Sequence, residues 1–273
     1  MWPDVTVTRL GLIAGNGAFP LAVARAARSR GIEVVAIAHR NETDPALEPL
    51  CNEVVWIEVG QLQKMVDTFK GANVDAAAMA GGISRARLQA SFSPDERALR
   101  MLARIGKFSD DSVLRGVATE LESEGIAVID PVPMLEKALA GAGREAGPEP
   151  TASQLKDLKL AFAVTRALGA FDIGQAVAVR DGVVAAIEAV EGTDAALRRG
   201  AALCGRGLVI AKAAKPGQDL RFDRPAIGPN TIALLDEIGA AMLGVEAGLT
   251  LVLERERTLA LADQSGITVY GYA

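Results

Sequence analysis

The sequence predicts an α/β protein of two domains, an N-terminal Rossmann-like parallel-sheet domain joined by a linker to a second, mixed α/β domain. Three observations carry this reading. Through the first half, short continuous apolar runs alternate with amphipathic stretches, the pattern of parallel strands covered by helices on both faces. A Gly/Pro-dense stretch, Gly141-Ala-Gly-Arg-Glu-Ala-Gly-Pro-Glu-Pro150, then interrupts both periodicities. Beyond it, Asp181-Gly182 sits between two alternating apolar runs, a hairpin signal foreign to an all-parallel sheet.

Taken in order, the first strand is expected over 9–14, ending in Gly15-Asn16-Gly17. A helix over 19–30 follows, with Leu21, Ala24 and Ala27 along one side and Gly31 as its stop. Strands are expected over 32–38, 53–59 and 74–80, with a helix over 61–70 between the last two. Two helices over 94–106 and 110–124 precede a fifth strand over 126–129. Pro131-Val-Pro133 closes this unit, so the first domain is read as 1–134 and the linker as 135–152, where Gly and Pro defeat both helix and strand. The mixed domain, 153–273, opens with a helix over 153–168 and the hairpin 175–180 and 183–190. A helix over 194–203, a strand over 207–211, a long loop, a helix over 231–243 and strands near 249–253 and 267–270 complete it.

Composition narrows the function classes. Half of the 273 residues are apolar but only 4% are aromatic, which suits tightly packed small aliphatic side chains. A net charge of −5 without a Lys/Arg block argues against a nucleic-acid partner. Cys51 and Cys204 are far apart and outside any CxxC, as expected of reduced thiols in the cytoplasm. The stretch 1–8 carries Asp4 and no basic n-region, so it does not read as a signal peptide. The charge-free run 10–24 is too short to span a bilayer. His39 is the single histidine, which excludes a His-rich metal site and reads better as a structural or ligand-edge group than as a general base.

Gly15-Asn16-Gly17, after a strand and before a helix, can bring backbone against a phosphate or sugar. It does not read as a nicotinamide site. Pro20 stands at the third glycine position, and the second strand ends in His39-Arg40 rather than in an acid for a ribose diol. Gly60-Gln61 and Gly81-Gly82 lie at the ends of further strands on the same sheet edge. Glycines at three strand ends of one sheet leave room for a ligand, but each alone is more often just a turn.

The second half gathers charge. Glu188 and Glu191-Gly192-Thr193-Asp194 close the hairpin and open a helix, where Thr193 or Asp194 could also serve only as a cap. Lys212 and Lys215 precede Pro216-Gly-Gln218-Asp219-Leu-Arg221-Phe-Asp223. Cations for phosphate oxygens beside carboxylates that hold a metal or orient water are what phosphoryl chemistry requires. A long loop inside a compact domain is more often functional than idle.

These residues carry a resemblance. Leu10-Gly-Leu-Ile-Ala-Gly-Asn-Gly-Ala-Phe-Pro20, Gly60-Gln-Leu62, Met79-Ala-Gly81, Asp110-Asp111, Asp172-Ile-Gly-Gln175, Glu188-Ala-Val-Glu-Gly-Thr-Asp194, Lys215-Pro-Gly-Gln-Asp-Leu-Arg-Phe-Asp223, Ile227-Gly-Pro229 and Glu246-Ala-Gly248 resemble the UDP-2,3-diacylglucosamine diphosphatases of the LpxI type. Arg224, where Leu or Val is usual, and Ala226, where Thr is common, depart from the pattern without removing a charged candidate. The resemblance implies Mg²⁺-dependent hydrolysis of UDP-2,3-diacylglucosamine to UMP and 2,3-diacylglucosamine 1-phosphate in lipid A biosynthesis. It also implies two domains that clasp the substrate, a homodimer, and a cytoplasmic location with contact at the inner face of the inner membrane left open. On this reading Asp223 and Asp219 are the catalytic carboxylates and metal ligands. The substrate-binding set is Gly15, Asn16, Gly17, Gln61, Gly81, Gly82, Gln175, Glu188, Thr193, Asp194, Lys212, Lys215, Gln218 and Arg221. A non-enzymatic sugar-nucleotide-binding protein and an NAD(P)-dependent oxidoreductase are the alternatives.

Overall fold

The computed structural model describes residues 7–84, 92–106, 110–135, 137–171, 173–222 and 224–273. The chain groups into two compact units, Met1–Glu136 with Asp219–Asp223, and Lys137–Gln218 with Arg224–Ala273.

The first unit is built on β1 (Arg9–Ala14), β2 (Glu33–His39), β3 (Glu53–Ile57), β4 (Ala76–Ala80) and β5 (Ala127–Val128). They form one parallel sheet in the order β3-β2-β1-β4-β5. Burial on both faces explains why the strands read as continuous apolar runs. Leu10, Leu12, Val34, Ala36, Ala76 and Ala78 face one apolar cluster with α1 (Phe19–Ser29). Ile13, Val35, Ile37, Ala77 and Met79 face the other, with α2 (Leu62–Gly71), α3 (Glu96–Arg104) and α4 (Asp110–Ser123). Phe69 of α2 is fully buried in the second cluster.

The second unit carries β6 (Gly143–Ala146), β7 (Ala176–Arg180), β8 (Val183–Ile187), β9 (Val209–Lys212), β11 (Met242–Glu246) and β13 (Thr268–Tyr272) in the order β6-β13-β11-β9-β7-β8. β9, β11 and β13 are parallel; β6, and the β7–β8 hairpin, run antiparallel to their neighbours. The predicted hairpin turn is present, with positive φ at both Asp181 (49°) and Gly182 (80°), as a type I′ turn demands. One face packs on α5 (Ala152–Gly169), which begins with a capping box between Thr151 and Gln154. The other packs on α6 (Thr193–Cys204), α7 (Pro229–Glu237) and α8 (Arg255–Gln264). A small parallel pair, β10 (Ala226–Ile227) with β12 (Leu251–Val252), lies apart from that sheet.

Three expectations are corrected. The stretch 135–152 is not a linker throughout: Gly143–Ala146 is an edge strand, because pairing with β13 supplies what its sequence lacks. The helix expected over 231–243 stops at Glu237, turns at Gly239 with φ +65°, and gives way to β11 at the centre of the sheet. The segment Asp219–Asp223, expected in the second domain, groups with the first unit. Among the described residues no helix is long and apolar enough to cross a membrane.

Candidate functional site

The strand order of the first sheet reverses between β1 and β4, and a crevice for ligands opens beyond the carboxyl ends at such a switch point. The glycines after these two strands meet there. Gly15 N–H donates to Ala80 O (2.8 Å), Asn16 N–H donates to Gly82 O (2.8 Å), and Asn16 and Gly82 form an isolated antiparallel bridge. A Cβ on Gly15 would collide with the Gly82 carbonyl oxygen, and one on Gly81, at φ +81°, with that of Asn16. Gly15 and Gly81 are therefore required by the junction itself. Gly17 and Gly82 are exposed, and a Cβ on Gly82 would meet only Asn16 Oδ1 at 3.7 Å. Gln61 stands before α2 and accepts the Glu58 N–H at its Oε1 (3.0 Å), closing its own loop.

Three further residues shape this edge. The His39 ring Nδ1 lies 2.9 Å from Ala14 O, the last residue of β1, and Thr43 Oγ1 donates to the same carbonyl (2.6 Å). Burial lowers the His39 pKa, against smaller opposing effects of the Ala14 carbonyl, Glu42 and Glu58. The ring is a structural tie, in line with the first of its two expected roles. Glu42 is buried and was not foreseen; one of its oxygens accepts from Asn16 Nδ2 (2.8 Å) and from Ser84 N–H (3.2 Å).

Asp219–Asp223 is fastened to the first unit by an ion network. Asp219 accepts from Arg221 Nη2 (2.9 Å) and Nε (3.1 Å), and Arg115 Nη1 stands 3.6 Å away. Arg221 also donates to Glu122 Oε1 (2.8 Å) on α4 and to Val128 O (3.2 Å) on β5. Asp219 N–H donates to Asp111 Oδ1 (3.1 Å), and Phe222 is buried in the second apolar cluster. Burial works to raise the Asp219 pKa, but the Arg221 hydrogen bonds and charge, with Arg115, outweigh it and hold the carboxyl below its ordinary range. Hydrogen bonding to Asp219 raises the pKa of Arg221.

Two of the expected site residues are engaged with each other. Asp219 was expected as a catalytic carboxylate and metal ligand, but both its oxygens are taken by Arg221. Arg221 was expected on the substrate's phosphates, but its guanidinium is held by two carboxylates and a backbone carbonyl. Among the described residues no three His, Cys, Asp or Glu side chains gather to hold a metal. Asp223 lies outside the described residues.

In the second unit, the ends of β8, β9 and β11 and the start of β7 share one sheet edge. Glu188 is buried and accepts the Gln175 N–H (3.1 Å), and the close approach of Gly174 to the Glu188 backbone leaves no room for a Cβ. Lys212 Nζ donates to Ala226 O (2.8 Å). Gln218 Oε1 accepts the Lys215 N–H (2.8 Å), folding the segment before Asp219 into a tight turn with Gly217 at φ +77°. Glu246, at the end of β11, accepts the Ala214 N–H (2.8 Å) and faces Arg166 (3.5 Å); its place in the sequence did not mark it as part of this edge. Gly192 precedes α6 without a side-chain cap, so Thr193 and Asp194 occupy its first turn and cap nothing.

Family models match both halves of the chain, the LpxI N-terminal domain over residues 9–138 and the LpxI C-terminal domain over residues 141–270. The UDP-2,3-diacylglucosamine pyrophosphatase LpxI of Caulobacter vibrioides is 36% identical over 274 residues, covering 96% of this chain and 97% of that protein. Among solved structures, the biotin carboxylase domain of a thermophilic 2-oxoglutarate carboxylase covers 63% of this chain and 35% of its own at 14% identity and a TM-score of 0.29. A phosphoribosylglycinamide synthetase from Anaerococcus prevotii covers 74% and 44% at 14% identity and 0.28. Likeness at those scores carries no argument. With both family models in sequence order and a relative matched from end to end, the chain belongs to the LpxI family.

Proposed function

We propose that this protein hydrolyses the pyrophosphate bond of UDP-2,3-diacylglucosamine, giving UMP and 2,3-diacylglucosamine 1-phosphate for lipid A biosynthesis. The observation that carries the reading is the match, over 96% of the chain, to a relative named for that pyrophosphatase activity. Two features support it. A glycine-built sheet edge in the first unit suits a sugar nucleotide held largely by backbone, and an edge of mixed charge in the second suits phosphate.

In the reaction, water adds across the P–O–P bridge: its hydroxyl goes to one phosphorus, and the bridging oxygen leaves with the other and takes up a proton. Asp223 is assigned to the attacking water. Lys212 and Lys215 are assigned to the diphosphate charge, and Gln175, Glu188, Thr193, Asp194 and Gln218 to positioning substrate. Arg221 and Asp219 are assigned to fixing their own segment through the ion pair between them. Asp223 would hold Mg²⁺ together with the substrate phosphates, since this ion is usually bound by one or two carboxylates beside phosphate oxygens, and the ion would neutralise charge on the diphosphate. The protein is proposed to act as a cytoplasmic homodimer that reaches its lipid substrate at the inner face of the inner membrane.

Purified protein incubated with Mg²⁺ and UDP-2,3-diacylglucosamine, followed by ³¹P NMR, tests the reading. Two monophosphate esters are expected; binding without turnover would leave a sugar-nucleotide-binding protein instead. UDP-glucosamine without acyl chains should be a poor substrate, since each buried methylene contributes up to about 0.8 kcal/mol.

A further inference from the structure

The carboxylate of Glu42 is the least explained polar group at the switch point of the first sheet. Its residue is 6% exposed, and while one oxygen is tied to Asn16 and Ser84, the other, Oε1, is buried without a hydrogen-bond partner. A buried acceptor left unpaired is costly, and native folds keep few of them unless something supplies the missing donor.

The position of Glu42 says what that donor is. In dinucleotide-binding folds an acidic residue just past the second strand, roughly 20 residues beyond the glycine turn, takes the ribose hydroxyls. Here β2 ends at His39, and a tight turn follows in which Glu42 and Thr43 both donate their N–H to His39 O, with Asn41 at φ +64°. That turn carries Glu42 back to the glycine loop, where it grips Asn16. The carboxylate thus stands in the place of the ribose acid, displaced three residues from the strand end where an acid would ordinarily be sought.

We propose that Glu42 Oε1 accepts a hydrogen bond from the ribose diol of the substrate's nucleotide moiety, so that the first unit holds the nucleoside at its switch point. The inference rests on the nucleotide-sugar reading above. The oxygen is closed to solvent in the unliganded chain, so the ribose takes the place of whatever covers it. A buried water bound there for stability alone is the competing account.

The test compares UMP with its 2′-deoxy and 3′-deoxy forms by isothermal titration, and the corresponding UDP-2,3-diacylglucosamine analogues by kcat/KM. Wild type should discriminate against at least one deoxy form by about tenfold or more. Glu42→Gln keeps an oxygen for Asn16 and Ser84 but places an N–H₂ donor at the unpaired position. It should lower the ribose form to the level of the deoxy form, erase the discrimination, and leave Tm close to wild type. Equal handling of all three sugars by wild type overturns the proposal. So does a Glu42→Gln protein that keeps full discrimination, as a water site would. If Gln does not fold, Glu42→Asp, which withdraws the carboxylate by one methylene, takes its place under the same criterion. A protein that prefers UMP over its deoxy forms yet hydrolyses nothing removes the hydrolase reading and leaves the ribose contact standing.

Discussion

The carboxyl edges of the two sheets are built from different materials. The first is made of backbone: glycines after β1 and β4, one amide side chain, and one buried acid. The second is made of charged side chains, with Glu188, Lys212 and Glu246 at the strand ends. Backbone groups placed by glycine suit a neutral sugar and base whose shape must be matched closely. Side-chain charge suits a diphosphate, for which charge matters more than shape. The segment Asp219–Asp223 belongs in composition to the second edge and in packing to the first unit, and the sharpest tests act on it.

The largest effect is expected from Asp223→Ala. If Asp223 orients the attacking water, turnover should fall by roughly 10²–10⁴-fold with the circular dichroism spectrum unchanged. A near-normal kcat would end that assignment. Arg221→Ala comes next. It removes the tie between Asp219, Glu122 and Val128, so a displaced segment should lower kcat by about a hundredfold. Arg198, in an exposed bidentate pair with Glu237, is its control; Arg198→Ala should leave kcat and Tm close to wild type. Equal effects of the two would mean the segment is not held as described.

Asp219 gives a smaller, pH-dependent effect. Its pKa is lowered in the folded chain, because Arg221 and Arg115 outweigh burial. It therefore adds stability that is complete above the unfolded-state value, 3.8, and is lost as the pH falls through the lower folded value. The stability difference between wild type and Asp219→Asn, from urea melts, should be level near neutral pH and close below about pH 4. A difference that widened in acid would contradict the ion pair. The smallest effect belongs to the glycine edge. Gly81→Val is a poor probe, since φ +81° and the Asn16 carbonyl penalise the fold itself. Gly82→Ala fits without a clash and should raise KM by about tenfold or less with kcat unchanged if ligand approaches that backbone.

Much of this was legible in the sequence where local pattern and tertiary context agree. The five strands of the first sheet are apolar because both faces are buried, so each could be found without knowing its neighbours. β6 could not: Gly143–Ala146 has no alternation, and only pairing to β13 makes it a strand. β11 was hidden because 231–243 keeps a helical spacing through Leu243, and only the turn at Gly239 separates helix from strand. Glu42 carries no such signal, because it stands beyond the end of the second strand and only the turn at His39 folds it back to the glycine loop. For Asp219–Asp223 the one signal was Phe222, a large apolar side chain among charges, which is now seen to be a core residue.

That burial of Phe222 has a consequence for how the molecule is made. A chain emerging from the ribosome presents all five strands of the first sheet long before it presents Phe222, Arg221 and Asp219. At about 5–20 residues per second, seconds of synthesis separate the sheet from the side chains that complete its apolar cluster and cover the Arg115–Glu122 face of α4. The first unit must therefore wait in an incomplete state while most of the second is built. A gene fragment ending near residue 136 would encode that waiting state permanently, and should yield a protein with native helix content, a gap where the phenyl ring belongs, and a tendency to aggregate.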